Sequence, residues 1–179
     1  MFFKSYYKTI NSKLNSVNDK LLYDTSLLIE EVAKNSAKVI LIGNGGSSAI
    51  ASHLSIDLTK SASVRAINFN EGSLLTCFSN DYGYDHWVEM ALEFYADKDD
   101  LIILISSSGQ SKNIINAAKK AKAMSLSVVT LSGFSTENPL RSMGDINIWV
   151  DSSQYNIIES VHQICLLSVV DYLVENKRS

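Results

Sequence analysis

Two short segments of this chain carry residues that could hold an anion. Each follows an apolar run: Gly43-Asn44-Gly45-Gly46-Ser47-Ser48 comes after residues 38–42, and Ser106-Ser107-Ser108-Gly109-Gln110-Ser111 comes after residues 101–105. Where such a turn opens a helix, free backbone N–H groups and the positive end of the helix dipole face the same point. Serine hydroxyls can donate further hydrogen bonds to phosphate oxygens. Two such turns in one chain predict a phosphorylated ligand.

Neither turn matches the two common nucleotide-binding motifs. The dinucleotide motif requires a third glycine where this chain has Ser48, and an acidic residue after the second strand, where this chain has Asn68-Phe69-Asn70. A P-loop requires a lysine that neither turn supplies. A terminal phosphate monoester is therefore the favoured ligand, although serines and glycines can also serve only to make tight turns. The candidate binding residues in the two turns are Asn44, Gly45, Ser47, Ser106, Ser107, Ser108 and Ser111.

Segments able to position these turns alternate along the chain. Apolar runs rich in β-branched residues predict strands, and amphipathic stretches between them predict helices. Near-continuous apolar strands separated by helices indicate an α/β fold with a parallel sheet covered on both faces, in which ligands bind beyond the carboxyl ends of the strands. The predicted strands are 38–42, 64–68, 101–105, 127–131 and 146–150, and the predicted helical segments are 48–60, 71–95, 110–124 and 155–175.

The amino-terminal part of the chain precedes the first strand. Residues 2–33 place apolar side chains three and four positions apart, which predicts one or two amphipathic helices. Such a segment, bounded at about residues 1–35, can cover the sheet or pack against another subunit. The apolar pattern leaves both arrangements open.

Composition narrows the class of protein. A length of 179 residues with 46% hydrophobic content predicts a single domain spanning 1–179. A net charge of −3 offers no basic excess for direct nucleic-acid binding. Cys77 and Cys165 both lie in apolar contexts, which favours reduced thiols over a disulfide. We expect no stretch to approach the ~20 apolar residues of a membrane span, and we therefore predict a cytoplasmic protein with no membrane partner.

Three motifs in order resemble one known family. They are Gly43-Asn44-Gly45-Gly46-Ser47 with His53 and Asp57 downstream, then Asn80-Asp81-Tyr82-Gly83-Tyr84, then the serine turn at 106–111. Together they are similar to the phosphoheptose isomerases of the sugar isomerase (SIS) superfamily, and the resemblance covers nearly the whole chain. It implies a flavodoxin-like five-stranded parallel sheet and a homotetramer with active sites between subunits.

The resemblance also implies a substrate and roles for individual residues. The substrate would be sedoheptulose 7-phosphate, with a phosphate cradle at Ser106, Ser108 and Ser111. Asn44, Ser47 and Asp81 would contact the sugar, although Asp81 could instead serve only as a turn residue. Glu159 stands where the family has a glutamine that, in some members, helps to bind zinc. A possible zinc site would therefore comprise His53, Asp57 and Glu159, with no cofactor certain.

Two positions depart from the family pattern. Asp57 replaces the glutamate that acts as a base, and its carboxylate is one methylene shorter. Leu167 stands at the position of the second catalytic histidine and cannot transfer a proton. We therefore take Asp57 as the leading base and His162 as the candidate second group, although a packing or interface role is favoured for His162 and a surface or aromatic-packing role for His86.

Two functions follow from these residues. The first is an aldose–ketose isomerase acting on the phosphate of a heptose or a related sugar, in the synthesis of surface lipopolysaccharide or capsule. The alternative is a non-catalytic SIS protein that keeps the phosphate cradle and the oligomer as a binding or regulatory module. Loss of the histidine at 167 favours the second, and retention of His53 with a carboxylate at 57 favours the first.

Overall fold

A five-stranded parallel sheet organises the computed structural model, which describes residues 1–177. The strands lie in the order β2-β1-β3-β4-β5, the order found in flavodoxin-like folds. This confirms the predicted fold class and all five predicted strands. Their bounds are Val39–Gly43 (β1), Ala66–Asn68 (β2), Leu101–Ile105 (β3), Ser127–Ser132 (β4) and Ile146–Trp149 (β5).

Helices cover both faces of the sheet. Their bounds are Phe2–Leu14 (α1), Asp19–Lys34 (α2), Gly46–Lys60 (α3), Gly72–Tyr82 (α4), Trp87–Tyr95 (α5), Lys112–Ala123 (α6) and Tyr155–Asn176 (α7), with a 3₁₀ helix at Pro139–Ser142. One hydrophobic cluster lies between the sheet and α2, α3 and α7, and the other lies between the sheet and α4, α5 and α6. The domain was predicted to span residues 1–179, and the last two of these residues lie outside the described part of the chain.

The strand register brings the two small-residue turns side by side. Gly43, the last residue of β1, pairs with Ile105, the last residue of β3. From these neighbouring strands the chain continues into α3 on one face of the sheet and into α6 on the other. A crevice opens between two loops that depart in opposite directions, and this is where open parallel sheets bind ligands.

The amino-terminal segment forms two helices rather than one. In α2, Ile29 and Val32 are buried against the sheet, whereas α1 has no buried residue and lies along α7. Phe2, Phe3 and Tyr7 of α1 are 73%, 67% and 63% exposed. Helix α1 therefore presents an aromatic surface that the described chain does not cover.

The closing helix corrects one expectation from the sequence. Helix α7 contains an 18-residue window with a mean hydropathy of 1.5, long and apolar enough to cross a membrane. Half of that window is buried within the protein, where α7 packs on α2 and α3. The apolar residues of α7 are explained by its position in the core.

A buried ion pair closes the end of the sheet opposite the crevice. The Lys38 ammonium lies 2.7 Å from Oδ2 of Asp100, and the Lys38 and Asp100 side chains are 9% and 0% exposed. Burial lowers the pKa of Lys38, but hydrogen bonds to Asp100 and Asp97 outweigh burial and leave this pKa above its ordinary value. The stabilisation from Lys38 is therefore present at neutral pH and is lost only as alkaline pH passes through the raised pKa.

Replacing Lys38 with methionine is expected to lower the free energy of unfolding by about 3 kcal/mol, because the Asp100 carboxylate would stay buried without its cation. Urea denaturation at pH 7 measures this change. Lys34→Met is the matched control, since the Lys34 ammonium is exposed and lies 3.9 Å from Glu30; it should change stability by less than about 0.5 kcal/mol. Equal effects of the two substitutions would contradict a structural role for the buried pair.

Candidate active site

The serine turn after β3 forms one wall of a small polar cavity. Oγ of Ser106 donates to Oγ of Ser111 across 3.1 Å, and the backbone N–H of Gln110 donates to Oγ of Ser108 across 3.2 Å. The hydroxyl of Ser107 is buried and has no hydrogen-bond partner among the described residues. A buried hydroxyl without a partner is uncommon and is suited to a ligand. The cavity measures about 130 Å³ and is lined by Asn44, Ser47, Ile105, Ser106, Ser107, Ser108, Ser111, Tyr155 and Glu159.

Asn138 fixes the backbone of the serine turn from behind. Gly109 has a φ of +64°, and a Cβ added there would lie 1.9 Å from Oδ1 of Asn138. The Asn138 amide donates to the carbonyls of Gly133 and Ser135 at 3.0 and 2.8 Å, while its Oδ1 accepts from the backbone of Arg141 at 3.0 Å. Sequence reasoning missed Asn138, whose position beside the turn is set by the loop after β4.

The first turn is tied to the helix that follows the second. The side-chain amides of Asn44 and Asn113 exchange two hydrogen bonds, both 3.0 Å, and the Tyr84 hydroxyl donates to Asn44 at 3.2 Å. Asn44 thus lines the cavity while joining β1 to α6. Sequence reasoning included Tyr84 only as part of the motif at 80–84 and did not identify Asn113, because both contacts join distant parts of the chain.

Glu159 lies where the first turn meets the closing helix. A Cβ added at Gly46 would lie 2.2 Å from Oε2 of Glu159, so a side chain at position 46 would displace this carboxylate. Glu159 lines the serine cavity and also a second, larger cavity of about 600 Å³. The second cavity is lined by Tyr6, Gly46, Ala49, Ile50, His53, Asn156, Glu159, Ser160 and Gln163.

His53 connects this second cavity to Asp57. Nε2 of His53 lies 3.2 Å from Oδ2 of Asp57, which confirms that the two side chains share one face of α3. Nδ1 of His53 lies 3.2 Å from the side-chain nitrogen of Gln163 on α7. The Asp57 side chain is 31% exposed and lies one turn beyond His53. Sequence reasoning did not identify Gln163.

The structure contradicts the catalytic role predicted for His162. This side chain is fully buried, and its Nε2 lies 3.1 Å from the backbone carbonyl of Ser132. Burial lowers the pKa of His162 to about 4, although the hydrogen bond with Ser132 opposes that shift. His162 therefore faces the core as a neutral residue and has no access to either cavity.

Three other residues that the sequence analysis weighed for a role in the site lie outside both cavities. Asp81 lies on α4, where its carboxylate accepts from Asn80 at 2.9 Å and raises the pKa of the Cys77 thiol by its charge. Leu167 packs against the hydrophobic cluster beneath α7. His86 contacts Glu89 on α5 at 2.6 Å. None of the three lines the serine cavity or the second cavity.

The predicted zinc ligands do not form a metal site within one chain. Among residues 1–177, no group of three histidine, cysteine, aspartate or glutamate side chains is close enough to hold a metal ion. Both ring nitrogens of His53 are also engaged, one by Asp57 and one by Gln163. These residues do not fit a tetrahedral zinc ion, which takes unobstructed nitrogen, sulfur or oxygen donors.

Comparison with known sequences identifies relatives over nearly the full length. The family model for the SIS domain matches residues 3–133. A phosphoheptose isomerase from Histophilus somni is 34% identical over 167 residues, which cover 90% of this chain and 85% of that relative. A phosphoheptose isomerase from Aliarcobacter butzleri is 31% identical, covering 99% of this chain and 95% of that relative.

Solved structures share the same architecture. Phosphoheptose isomerase from Neisseria gonorrhoeae superimposes with a TM-score of 0.86 at 24% identity, covering 96% of this chain and 95% of the other. The phosphoheptose isomerase from Francisella tularensis gives a TM-score of 0.85 at 22% identity, with coverage of 97% and 95%. At these identities the superpositions show a common fold.

Proposed function

From the premise that this chain belongs to the SIS domain family and, within it, to the phosphoheptose isomerases, we propose that it interconverts sedoheptulose 7-phosphate and the corresponding aldose heptose 7-phosphate. The relatives that are 34% and 31% identical to this chain are named phosphoheptose isomerases, which are sugar-phosphate isomerases. The observation that carries the proposal is the serine cavity, where hydroxyls of Ser106, Ser107, Ser108 and Ser111 converge beside a second cavity large enough for a sugar.

The phosphate would be held by neutral donors. The serine hydroxyls can turn toward phosphate oxygens, and the adjoining turn leads into the amino terminus of α6, where backbone N–H groups and the helix dipole favour an anion. The Ser107 hydroxyl, buried and without a partner among the described residues, would gain one. With the phosphate in this position, the sugar chain would extend past Glu159 toward His53.

Isomerisation moves one proton between carbons and one between oxygens. A base removes a proton from C1 of the ketose, giving an enediol, and returns a proton to C2 while O2 gains a proton and O1 loses one. We assign the carbon-to-carbon transfer to Asp57, whose Oδ2 contacts His53 and whose Oδ1 makes no hydrogen bond with residues 1–177.

We assign the exchange between the two oxygens to Glu159. Its carboxylate borders both cavities and forms no hydrogen bond with the described part of the chain. It also lies on the face of α7 that points toward α3, where a side chain can approach the sugar. Glu159 thus occupies the role that the sequence first suggested for His162.

A binding or regulatory protein is the second candidate function. Leu167 supports it, because this residue takes the place of the family's second catalytic histidine and packs into the core instead of lining a cavity. Such a protein would bind the same phosphorylated sugar without turnover.

Incubation with sedoheptulose 7-phosphate in deuterated water separates the two functions. NMR should show formation of the aldose together with deuterium at C2, because the carbon-bound proton exchanges with solvent on the base. The measurement is repeated with and without added zinc. Chemical-shift changes of the ligand without turnover would replace the isomerase with the binding protein, and neither shifts nor turnover would refute both.

We propose a homotetramer with active sites near its subunit contacts, since α1 exposes Phe2, Phe3 and Tyr7 while Tyr6 of the same helix lines the second cavity. We further propose that the protein works in the cytoplasm, where the free thiols of Cys77 and Cys165 remain reduced. Its product would enter synthesis of the heptose found in lipopolysaccharide or capsule.

Replacing Phe3 and Tyr7 together with serine is expected to dissociate the assembly. The wild-type protein should scatter light as a particle of four 19.8 kDa chains, and the double variant as a smaller one. Loss of two large apolar side chains removes several kcal/mol from an interface. Lys4→Ser with Lys8→Ser, on the same helix, is the control and should leave the assembly intact. An unchanged mass for the Phe3/Tyr7 variant would show that α1 lies outside the interface.

A further inference from the structure

Gln163 connects the closing helix to the His53–Asp57 pair. Its side-chain nitrogen lies 3.2 Å from Nδ1 of His53, and Nε2 of His53 lies 3.2 Å from Oδ2 of Asp57. The three side chains form one continuous row of hydrogen bonds from α7 to α3. Two members of this row were expected from the sequence, and Gln163 has no role in the reaction described above.

Hydrogen-bonding rules determine where the protons in this row lie. An ionised carboxylate only accepts hydrogen bonds, so with Asp57 ionised the Nε2 atom of His53 carries a proton. The amide nitrogen of Gln163 only donates, so Nδ1 of His53 is an unprotonated acceptor. The arrangement therefore contains neutral His53 with its proton on Nε2. A second proton on Nδ1 would face the amide hydrogens and would force the amide of Gln163 to turn over.

The ring of His53 requires such a restraint. Its side chain is 48% exposed, so water could replace either partner and the imidazole could turn to present the other nitrogen to Asp57. Gln163 is half-buried and is carried by a helix whose adjacent residues Val161 and Cys165 are buried in the core. The amide is thus held on a fixed element rather than on a loop, which is the condition for orienting a neighbouring side chain.

We propose that Gln163 is a positioning residue that holds His53 in the neutral tautomer protonated on Nε2, and thereby orients Asp57. The Nε2–H group secures Oδ2 of Asp57 and leaves Oδ1 directed away from the ring, available to accept a proton. Because aspartate is one methylene shorter than glutamate, the carboxylate has less reach, and its orientation matters correspondingly more. The consequence for catalysis rests on the proposed isomerase function, whereas the tautomer does not.

Nitrogen-15 NMR of the full-length protein reads the tautomer directly. A protonated ring nitrogen and an unprotonated one have widely separated resonances, and His53→Asn identifies the His53 signals among the three histidines of the chain. At pH 7.5 we expect Nε2 protonated and Nδ1 unprotonated in the wild-type protein. In Gln163→Leu the His53 signals should become a mixture of tautomers. In Gln163→Glu both nitrogens should be protonated, because a carboxylate accepts where the amide donates. Gln154→Leu, at an exposed glutamine before α7, should leave the spectrum unchanged.

Kinetics test the consequence for the reaction. Gln163→Leu is expected to lower kcat about 10-fold while KM changes less than about two-fold, since the substitution disturbs a group that acts through another. A wild-type protein with the proton on Nδ1, or a His53 spectrum unaffected by both Gln163 variants, would overturn the proposal. If the wild-type protein shows no turnover, the isomerase function fails while the NMR result still decides the role of Gln163.

Discussion

Asp57→Asn is expected to lower kcat for isomerisation of sedoheptulose 7-phosphate by about 100- to 10,000-fold, the range that a positioned general base contributes. Asparagine has nearly the same shape as aspartate, so it preserves packing on α3. It cannot accept a proton from carbon at neutral pH. KM should remain within about three-fold, because the proposed phosphate site is the serine turn between β3 and α6, and Asp57 does not line that cavity. Deuterium incorporation at C2, followed by NMR, measures the loss.

The matched control for this experiment is Asp24→Asn. Asp24 pairs with Lys20 one turn away on α2 and lines neither cavity, so its replacement should leave kcat unchanged. Glu159→Gln is the informative companion, since it removes the second carboxylate and should also reduce kcat without changing the serine turn. Full turnover by Asp57→Asn would remove Asp57 from the mechanism and leave Glu159, the carboxylate that lines both cavities, as the remaining assigned group.

The sequence was sufficient to predict the sheet because its central strands β1 and β3 are fully buried. Strand β3 reads Leu-Ile-Ile-Leu-Ile, and each of its residues is buried, so the predicted bounds of 101–105 match the structure. β2 is shorter than predicted, at three residues, because it lies at the edge of the sheet and pairs only with β1. Buried strands carry a strong apolar signal, and edge strands carry a weaker one.

Side chains on α7 show where sequence reasoning reaches its limit. Glu159 and Gln163 are four residues apart and share the face toward the cavity, whereas His162 is three residues after Glu159 and falls on the buried side with Val161. A helix rotates by about 100° per residue, so a single position separates a cavity residue from a core residue. Spacing alone predicted a functional side chain one helical turn after Glu159. It could not identify that side chain, because the rotation of α7 about its axis depends on packing against α3 and the sheet.

Contacts between distant segments of the chain could not be predicted from the sequence either. The hydrogen bond between Gln163 and His53 joins residues 110 positions apart, and the paired amides of Asn44 and Asn113 join residues 69 positions apart. No local pattern encodes these partners, because they are brought together only after the sheet has formed. The serine turn, in contrast, was identifiable since its residues are consecutive and follow a strand.

Ser111→Asp is expected to raise KM for the phosphorylated sugar by about 100- to 1,000-fold, because a carboxylate in the cradle repels the phosphate by several kcal/mol. The fold should tolerate this change. Ser111 is the N-cap of α6 and its hydroxyl makes no capping hydrogen bond, whereas aspartate is among the best N-cap residues and favours the positive end of the helix dipole. The thermal midpoint should therefore stay the same or rise, so that weaker binding cannot be attributed to unfolding.

Ser111→Asn separates charge from shape in the same position. Asparagine is close to aspartate in size and is also a good N-cap residue, but it is neutral, so KM should rise less than about 10-fold. Binding of sedoheptulose 7-phosphate, followed by calorimetry alongside KM, tests both variants without depending on turnover. If Ser111→Asp binds the phosphorylated sugar as tightly as Ser111→Asn, the phosphate does not occupy the serine turn. The larger cavity beside His53 would then become the candidate phosphate site.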